Sequence, residues 1–413
     1  MPELYEFQKQ AVEGLTGDHH ICILPTGAGK TAVMFKWLQG TGKKRIVVVT
    51  TATKARSGDM EQEALTWCGE KWLNGLTEFE VISWHKLKKW VLAHLSERCS
   101  GFAGYAFAFD EVQKCKGYST AMGKFFRVIT NGNKSWTGYT ATPGDKWEDL
   151  MTYYVATGKS KHKTAWMNRY AMVQTFKGYP EIVGYNNEQE LSDVWKEITV
   201  IPDASQMFRE LPKETHKTIK VKAPSDYKQI MKTRLNREGE LIDTTMGLCH
   251  YLRQICFTDE KREWLSDFIE GLGTNCVFFC NYIEEEEVVC EIAKKVLPKK
   301  AKIWRIDGKH HEIPAINTIG KYDIVVAHYA SGGEALNLQF MNYWCAVSPN
   351  YSFSKSVQAR GRIKRIGQKK PMFFYYLKAE GTIEDDIYEC LKNKSDFSEK
   401  VWCANIDKSG KEE

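Results

Sequence analysis

Short apolar runs alternate along this chain with stretches of helical patterning. His20-Ile21-Cys22-Ile23-Leu24 is one such run, and it ends in a Gly-rich loop. Arg45-Ile46-Val47-Val48-Val49-Thr50 is rich in β-branched residues, and Tyr105-Ala106-Phe107-Ala108-Phe109 ends in two acids. Such near-continuous apolar runs are the pattern of parallel strands buried on both faces. The stretches from Thr31 to Gln39 and from Ser57 to Trp67 predict helices. Strand and helix alternating in this way predict an α/β fold with a parallel sheet.

The second half repeats the rhythm. Strands are predicted at Asn275–Cys280, Lys302–Ile306, Asp323–Ala327 and Phe373–Leu377. Two sheets of this kind imply two lobes, over residues 1–200 and 201–413, with the boundary near Ile201-Pro202-Asp203. Between about 145 and 200 the pattern predicts an irregular segment, rich in Lys and aromatic residues. The polar tail after Ser395 is expected to fray. No short-period repeat or low-complexity stretch interrupts this plan.

Candidate chemistry begins at Pro25-Thr26-Gly27-Ala28-Gly29-Lys30-Thr31, which follows a predicted strand and opens a predicted helix. That is the setting of a phosphate-binding loop. Glycines let backbone N–H groups wrap phosphates, and the helix N-terminus adds its positive end. Lys30 is expected to reach the β- and γ-phosphates of ATP, and Thr31 to ligate Mg²⁺. A strict P-loop has a Gly where this chain has Leu24; the P-T-G-x-G-K-T form is the helicase variant. Asp110-Glu111-Val112-Gln113 ends an apolar strand some eighty residues later. Asp110 suits the Mg²⁺ shell, and Glu111 can deprotonate the attacking water. Gln8, ahead of the loop, has an amide that can both donate to and accept from an adenine edge.

Three further motifs carry a resemblance. Thr137-Gly138-Tyr139-Thr140-Ala141-Thr142-Pro143 resembles motif III of superfamily two helicases. Val325 to Gln339, with Ser331-Gly332-Gly333-Glu334-Ala335 at its centre, looks like motif V. Gln358-Ala359-Arg360-Gly361-Arg362-Ile363-Lys364-Arg365-Ile366-Gly367-Gln368 resembles motif VI in its Swi/Snf form. Softer matches lie at Val81–Leu87, Glu210–Glu214, Leu252–Cys256 and Thr382–Ile387. The resemblance covers nearly the whole chain, with 145 to 205 matching weakly.

That resemblance implies two RecA-like lobes, each a mostly parallel sheet flanked by helices, with the ATP site in the cleft between them. It implies that Arg362 and Arg365 are arginine fingers reaching the γ-phosphate, that Gln358 belongs to the nucleotide site, and that Thr140 and Thr142 couple the phosphates to nucleic acid. Gln113 stands where many relatives have His. It can still hydrogen-bond across to motif III or VI, but it does not titrate near neutrality. Glu334-Ala335 replaces the commoner Glu-Gly.

Nucleic acid contacts are expected from the N–H groups of Ser331, Gly332 and Gly333, from Asn337 and Gln339 behind them, and from Thr50, Thr51 and Lys54 after the second strand. Phosphate contacts position without reading sequence, so binding is expected to be sequence-nonspecific and salt-dependent. The net charge of +6 permits a nucleic acid partner without requiring one. Among the 13 tryptophans, Trp84 and Trp147 are imaginable stacking residues, with core packing the favoured role. The 12 cysteines include no CxxC pair and read as buried free thiols rather than a zinc site. A reducing cytoplasm is expected, that of the host if the gene is phage-borne, with no signal peptide and no membrane span.

The expected function is an ATP-hydrolysing DNA translocase acting on duplex or branched DNA, in a minimal form of the kind found in phage or bacterial replication or recombination, with proteins of those pathways as partners. A strand-separating DNA or RNA helicase is a second reading. A slow ATP-gated DNA-binding switch is a third.

Overall fold

The strand Arg45–Thr50 lies parallel to Tyr105–Asp110, with Val48 opposite Ala108. Both are buried except at Arg45, as their apolar composition requires. These elements belong to a computed structural model that describes residues 2–98, 100–144, 146–176, 179–205, 211–310, 312, 314, 318–332 and 337–394. The chain divides into two compact units, Met1–Phe208 and Arg209–Glu413.

In the first unit the strands are β1 (Ile21–Ile23), β2 (Arg45–Thr50), β3 (Glu78–Ser83), β4 (Tyr105–Asp110), β5 (Trp136–Thr140), β6 (Ala171–Phe176), β7 (Tyr179–Tyr185) and β8 (Thr199–Val200). Six of them form a sheet in the order β3-β2-β4-β5-β1-β8, with every neighbouring pair parallel. Because β5 lies between β1 and β4, the loops after β1 and β4 open at one C-terminal edge. That edge is where open α/β sheets hold ligands. Helix α1 (Glu6–Gly14) precedes β1, and α2 (Lys30–Gly40) follows it.

The stretch expected to be irregular is in fact ordered. Helices Trp147–Ala156, Lys163–Tyr170 and Glu188–Ile198 flank an antiparallel hairpin of β6 and β7. Its aromatic residues are the reason. Tyr153, Tyr154, Trp166 and Tyr170 join the main core of the sheet, where each buries a large apolar surface. Short amphipathic elements of this kind show little periodicity in sequence.

The second unit carries β9 (Glu214–Val221), β10 (Cys276–Cys280), β11 (Ile303–Ile306), β12 (Ile324–His328), β13 (Tyr343–Ala346) and β14 (Met372–Ala379). Their order is β11-β12-β10-β13-β14-β9, again all parallel. Helices α3 (Asp259–Gly271), α4 (Ile283–Val296), α5 (Phe353–Arg360) and α6 (Ile383–Lys392) cover it. The period-two rule of strands splits β10 between two cores. Cys276, Phe278 and Cys280 pack on one face, and Val277 and Phe279 on the other. Burial pushes the Cys276 and Cys280 thiols well up, and every described cysteine is free. A wholly buried ion pair, Lys261 Nζ to Glu384 Oε1 at 2.7 Å, joins α3 to α6. No helix among the described residues is long and apolar enough to cross a membrane.

Candidate active site

The loop after β1 is shaped by two glycines. Gly27 and Gly29 sit at φ of 83° and 76°, the left-handed region that side chains disfavour. Gly29 is also the N-cap of α2, which puts Lys30 and Thr31 in the helix's first turn. The Lys30 ammonium folds back on the Leu24 and Pro25 carbonyls at 3.3 and 3.5 Å. The Thr26 hydroxyl is buried and has no hydrogen-bond partner among the described residues. Buried hydroxyls are normally bonded, so an anionic ligand oxygen fits this loop. Ala28 at its tip is buried.

Gln8 holds this loop in place. Its Nε2 donates to the Ala28 carbonyl at 2.9 Å, and its Oε1 accepts from the Tyr5 N–H at 3.0 Å. The amide therefore ties α1 to the phosphate loop. An amide has a second N–H and a second lone pair, which leaves the expected adenine contact as an additional role.

At the end of β4, Asp110 is buried and doubly held. Its Oδ2 accepts from Thr50 Oγ1 at 2.7 Å and from Lys54 Nζ at 2.8 Å. Burial alone pushes this carboxyl up. The Lys54 charge, the bonds from Lys54 and Thr50, and the Lys30 charge outweigh burial and hold it below its usual range. The Trp84 indole donates to the Asp110 carbonyl at 2.8 Å, which fixes the strand end from behind. Trp84 is thus a core residue, and Trp147 packs against the same core.

Glu111 has φ 52° and ψ 51°, a conformation that a residue with a Cβ adopts only under constraint from its surroundings. Gln113 Nε2 donates to Glu111 Oε2 at 2.6 Å, while Gln113 Oε1 is buried without a partner. Among the described residues of the first unit, the Gln113 amide is bonded to its neighbour Glu111 and not to motif III. Thr140, at the end of β5, is buried. Its carbonyl accepts from the Leu24 N–H at 3.0 Å, and its Oγ1 accepts from the Thr142 N–H at 3.0 Å. Motif III is thus bonded directly to the entrance of the phosphate loop.

Two of the residues expected to contact nucleic acid are engaged within the first unit. Thr51 is only 2% exposed; its Oγ1 accepts from the Lys54 N–H at 3.4 Å and its carbonyl from the Ala55 N–H. Lys54 points to Asp110 rather than outward. The physical reason is the turn: the chain passes within three residues from β2 into a short helix, Lys54–Ser57, which folds both residues back over the sheet edge. Thr50, expected beside them as a phosphate contact, holds Asp110. Its role depends on β2 and β4 being neighbours, which the sequence does not state.

In the second unit, Gln358 lies buried on α5 and Arg362 is buried just beyond it. Arg365 is half-buried and its guanidinium donates to Asn337 Oδ1. The Arg362 carbonyl accepts from the Leu338 N–H at 3.1 Å, and Gln368 Nε2 donates to the Met341 carbonyl at 2.7 Å. Motif VI is thus fastened to the end of motif V. Ser331 and Gly332 close a short helix, Tyr329–Gly332, and Gly333 lies outside the described residues.

No family model matches the chain. Over 132 residues it is 30% identical to the TATA-binding protein-associated factor mot1 of Aspergillus fumigatus, a match spanning 30% of this chain and 7% of that protein. It is 27% identical over 161 residues to the DNA repair and recombination protein RAD54-like of Drosophila ananassae, spanning 36% of this chain and 20% of that one. An uncharacterized ATP-dependent helicase of Bacillus subtilis, YqhH, matches at 34% over 82 residues, covering 20% of this chain and 14% of the helicase.

The chain is Swi2/Snf2-like. Its matches span at most a fifth of the length of these relatives. The Swi2/Snf2 ATPase core of Sulfolobus solfataricus, solved with dsDNA, superposes with a TM-score of 0.44 at 14% identity, over 95% of this chain and 91% of that one. In this Swi2/Snf2-like chain the residues of the phosphate loop, motif II and motif III all meet at one sheet edge of the first unit.

Proposed function

We propose that this chain hydrolyses ATP in response to nucleic acid and uses the hydrolysis to move along duplex or branched DNA. The observation that carries the reading is the ionised, buried Asp110 held beside Lys30, with Glu111 strained next to it. Lys30 binds the β- and γ-phosphates, the Thr26 hydroxyl donates to a phosphate oxygen, and Thr31 with Asp110 holds Mg²⁺. Mg²⁺, when bound, supplies positive charge against the charge developing on the phosphate oxygens. Glu111 takes the proton of the attacking water. The first unit is then the ATP-binding lobe and the second the C-terminal lobe, which contributes Arg362 and Arg365.

DNA is proposed as the partner because the Drosophila relative is by its name a DNA repair and recombination protein. The motif V residues Ser331, Gly332, Gly333 and Asn337 are the proposed phosphate contacts. Replication or recombination is the proposed setting. The test is the ATPase rate of the full chain with single-stranded, duplex and forked DNA, and with RNA. Duplex or forked DNA should activate at least as well as single strands, and RNA poorly, because A-form phosphate spacing differs. Activation by single strands alone, with unwinding of a tailed duplex, would replace the translocase by a helicase. A low rate that DNA barely changes would replace it by a switch.

A further inference from the structure

A cavity of about 330 Å³ opens in the second unit between the sheet and helices α5 and α6. Tyr329 and Arg360, from the motif V and motif VI runs, line it, but no residue given a role above does. We propose that it binds a small aromatic phosphate monoester.

The volume lies at the lower end of the roughly 300–1,000 Å³ typical of ligand pockets. Its lining is one-signed among the described residues: Arg360, Lys378 and Lys392 contribute to it, and no Asp or Glu does. Lys378 is already matched by Asp385. Arg360 and Lys392 have no carboxylate partner among the described residues. The walls supply flat apolar surface from Trp344, Tyr376 and Tyr388. Trp344 is almost wholly buried in the core beneath, so its ring is a fixed platform.

Ser356 makes the third feature. It lines the cavity, is 8% exposed, and its buried Oγ has no hydrogen-bond partner among the described residues. Leaving a buried hydroxyl unbonded is unfavourable, and an acceptor inside the cavity removes that cost. Two cations and a hydroxyl donor suit a dianion with several acceptor oxygens, and charge-assisted bonds to phosphate are the strong ones. The aromatic walls call for a ring on the same molecule, since a bare inorganic anion would leave them unused.

The test uses phenyl phosphate as probe, titrated calorimetrically into the full chain. Phenyl phosphate should bind, with phenol and inorganic phosphate each weaker by about tenfold or more. Lys392→Glu, at the exposed end of α6, should weaken it by about tenfold or more, as should Arg360→Gln, with the circular dichroism spectrum unchanged. Lys30→Ala should leave the affinity as it was, which separates this cavity from the phosphate loop. Absence of binding at millimolar concentration, affinity unchanged from the parent in both cavity variants, or loss of binding in Lys30→Ala would each overturn the proposal.

Discussion

Lys54 Nζ stands 2.8 Å from Asp110 Oδ2, so the cation that follows β2 is spent on the carboxylate that ends β4. Three elements converge there, because Thr50 reaches the same oxygen from the strand between β3 and β4. An isolated carboxylate this deeply buried would favour its neutral form, and a neutral Asp110 is a poor cation ligand. The pair therefore keeps the site anionic before any ligand arrives.

Lys54→Ala should accordingly slow DNA-stimulated ATP turnover by about tenfold or more, the scale of one lost bond to a charged group. It should leave the salt dependence of DNA binding unaltered, because Lys54 does not face the backbone. Measuring affinity across a salt series decides the matter. A slope reduced by about one in Lys54→Ala would return this residue to the nucleic acid surface.

Glu111→Gln should retain ATP binding and cut turnover by about 10²-fold or more, the usual range for a lost general base. The swap keeps the side-chain shape and an acceptor for Gln113, so the strained backbone has no reason to relax. Equilibrium binding of a fluorescent ATP analogue beside single-turnover hydrolysis gives both numbers. A variant that loses nucleotide affinity with its turnover would make Glu111 a metal or structural residue.

What the sequence made legible follows from the physics of each element. β2, β4, β10 and β12 announce themselves because strands buried on both faces have no polar positions to dilute the signal. The phosphate loop is equally plain, since Gly27, Gly29 and Lys30 are tied to one local backbone shape. β9 was harder: on this edge strand Thr215, His216, Lys217 and Thr218 are exposed, so it carries no apolar run. The internal bonds of Lys54 and Thr51 were hidden for a different reason. A lysine after a strand looks the same whether it faces solvent or a buried acid 56 residues away, and only the strand order separates the two. The Gln8 strut across to Ala28 was hidden in the same way.

Glu286 provides a pH test of the second unit. It is only 1% exposed, and burial with the nearby Asp307 charge pushes its carboxyl up to about 8. An acid whose pKa is raised on folding holds its proton in the native state while the unfolded chain has lost it. Between the unfolded value near 4.5 and about 8, the unfolded state binds fewer protons, so this group's contribution falls as pH rises. Glu286→Gln removes that dependence. Urea unfolding of the variant at pH 5 and pH 8 should show a smaller loss of stability on the alkaline side than the parent shows. Identical pH profiles for the two proteins would mean that Glu286 is ionised in the fold.

The two arginines of motif VI should separate experimentally, although the resemblance gives them one role. Arg362 is buried, and its backbone carbonyl secures Leu338 at the end of motif V. Arg365 is half-buried, and its guanidinium rests on the exposed Asn337, a contact that can be exchanged for a phosphate. Arg365→Ala should leave the unfolding transition of the second unit where it was and cut DNA-stimulated turnover by about 10³-fold or more, the arginine-finger scale. Arg365→Lys should not restore it, because an ammonium lacks the planar fork. Arg362→Ala should lose turnover and also lower the denaturant midpoint, because truncating a buried guanidinium leaves a void and strands its partners. Asn337→Ala is the informative companion. If Asn337 merely parks Arg365 before nucleotide binds, its removal should change turnover far less than loss of the arginine does. Equal losses in Asn337→Ala and Arg365→Ala, together with full activity in Arg365→Lys, would show that Arg365 works as a strut between motifs V and VI and not as a finger.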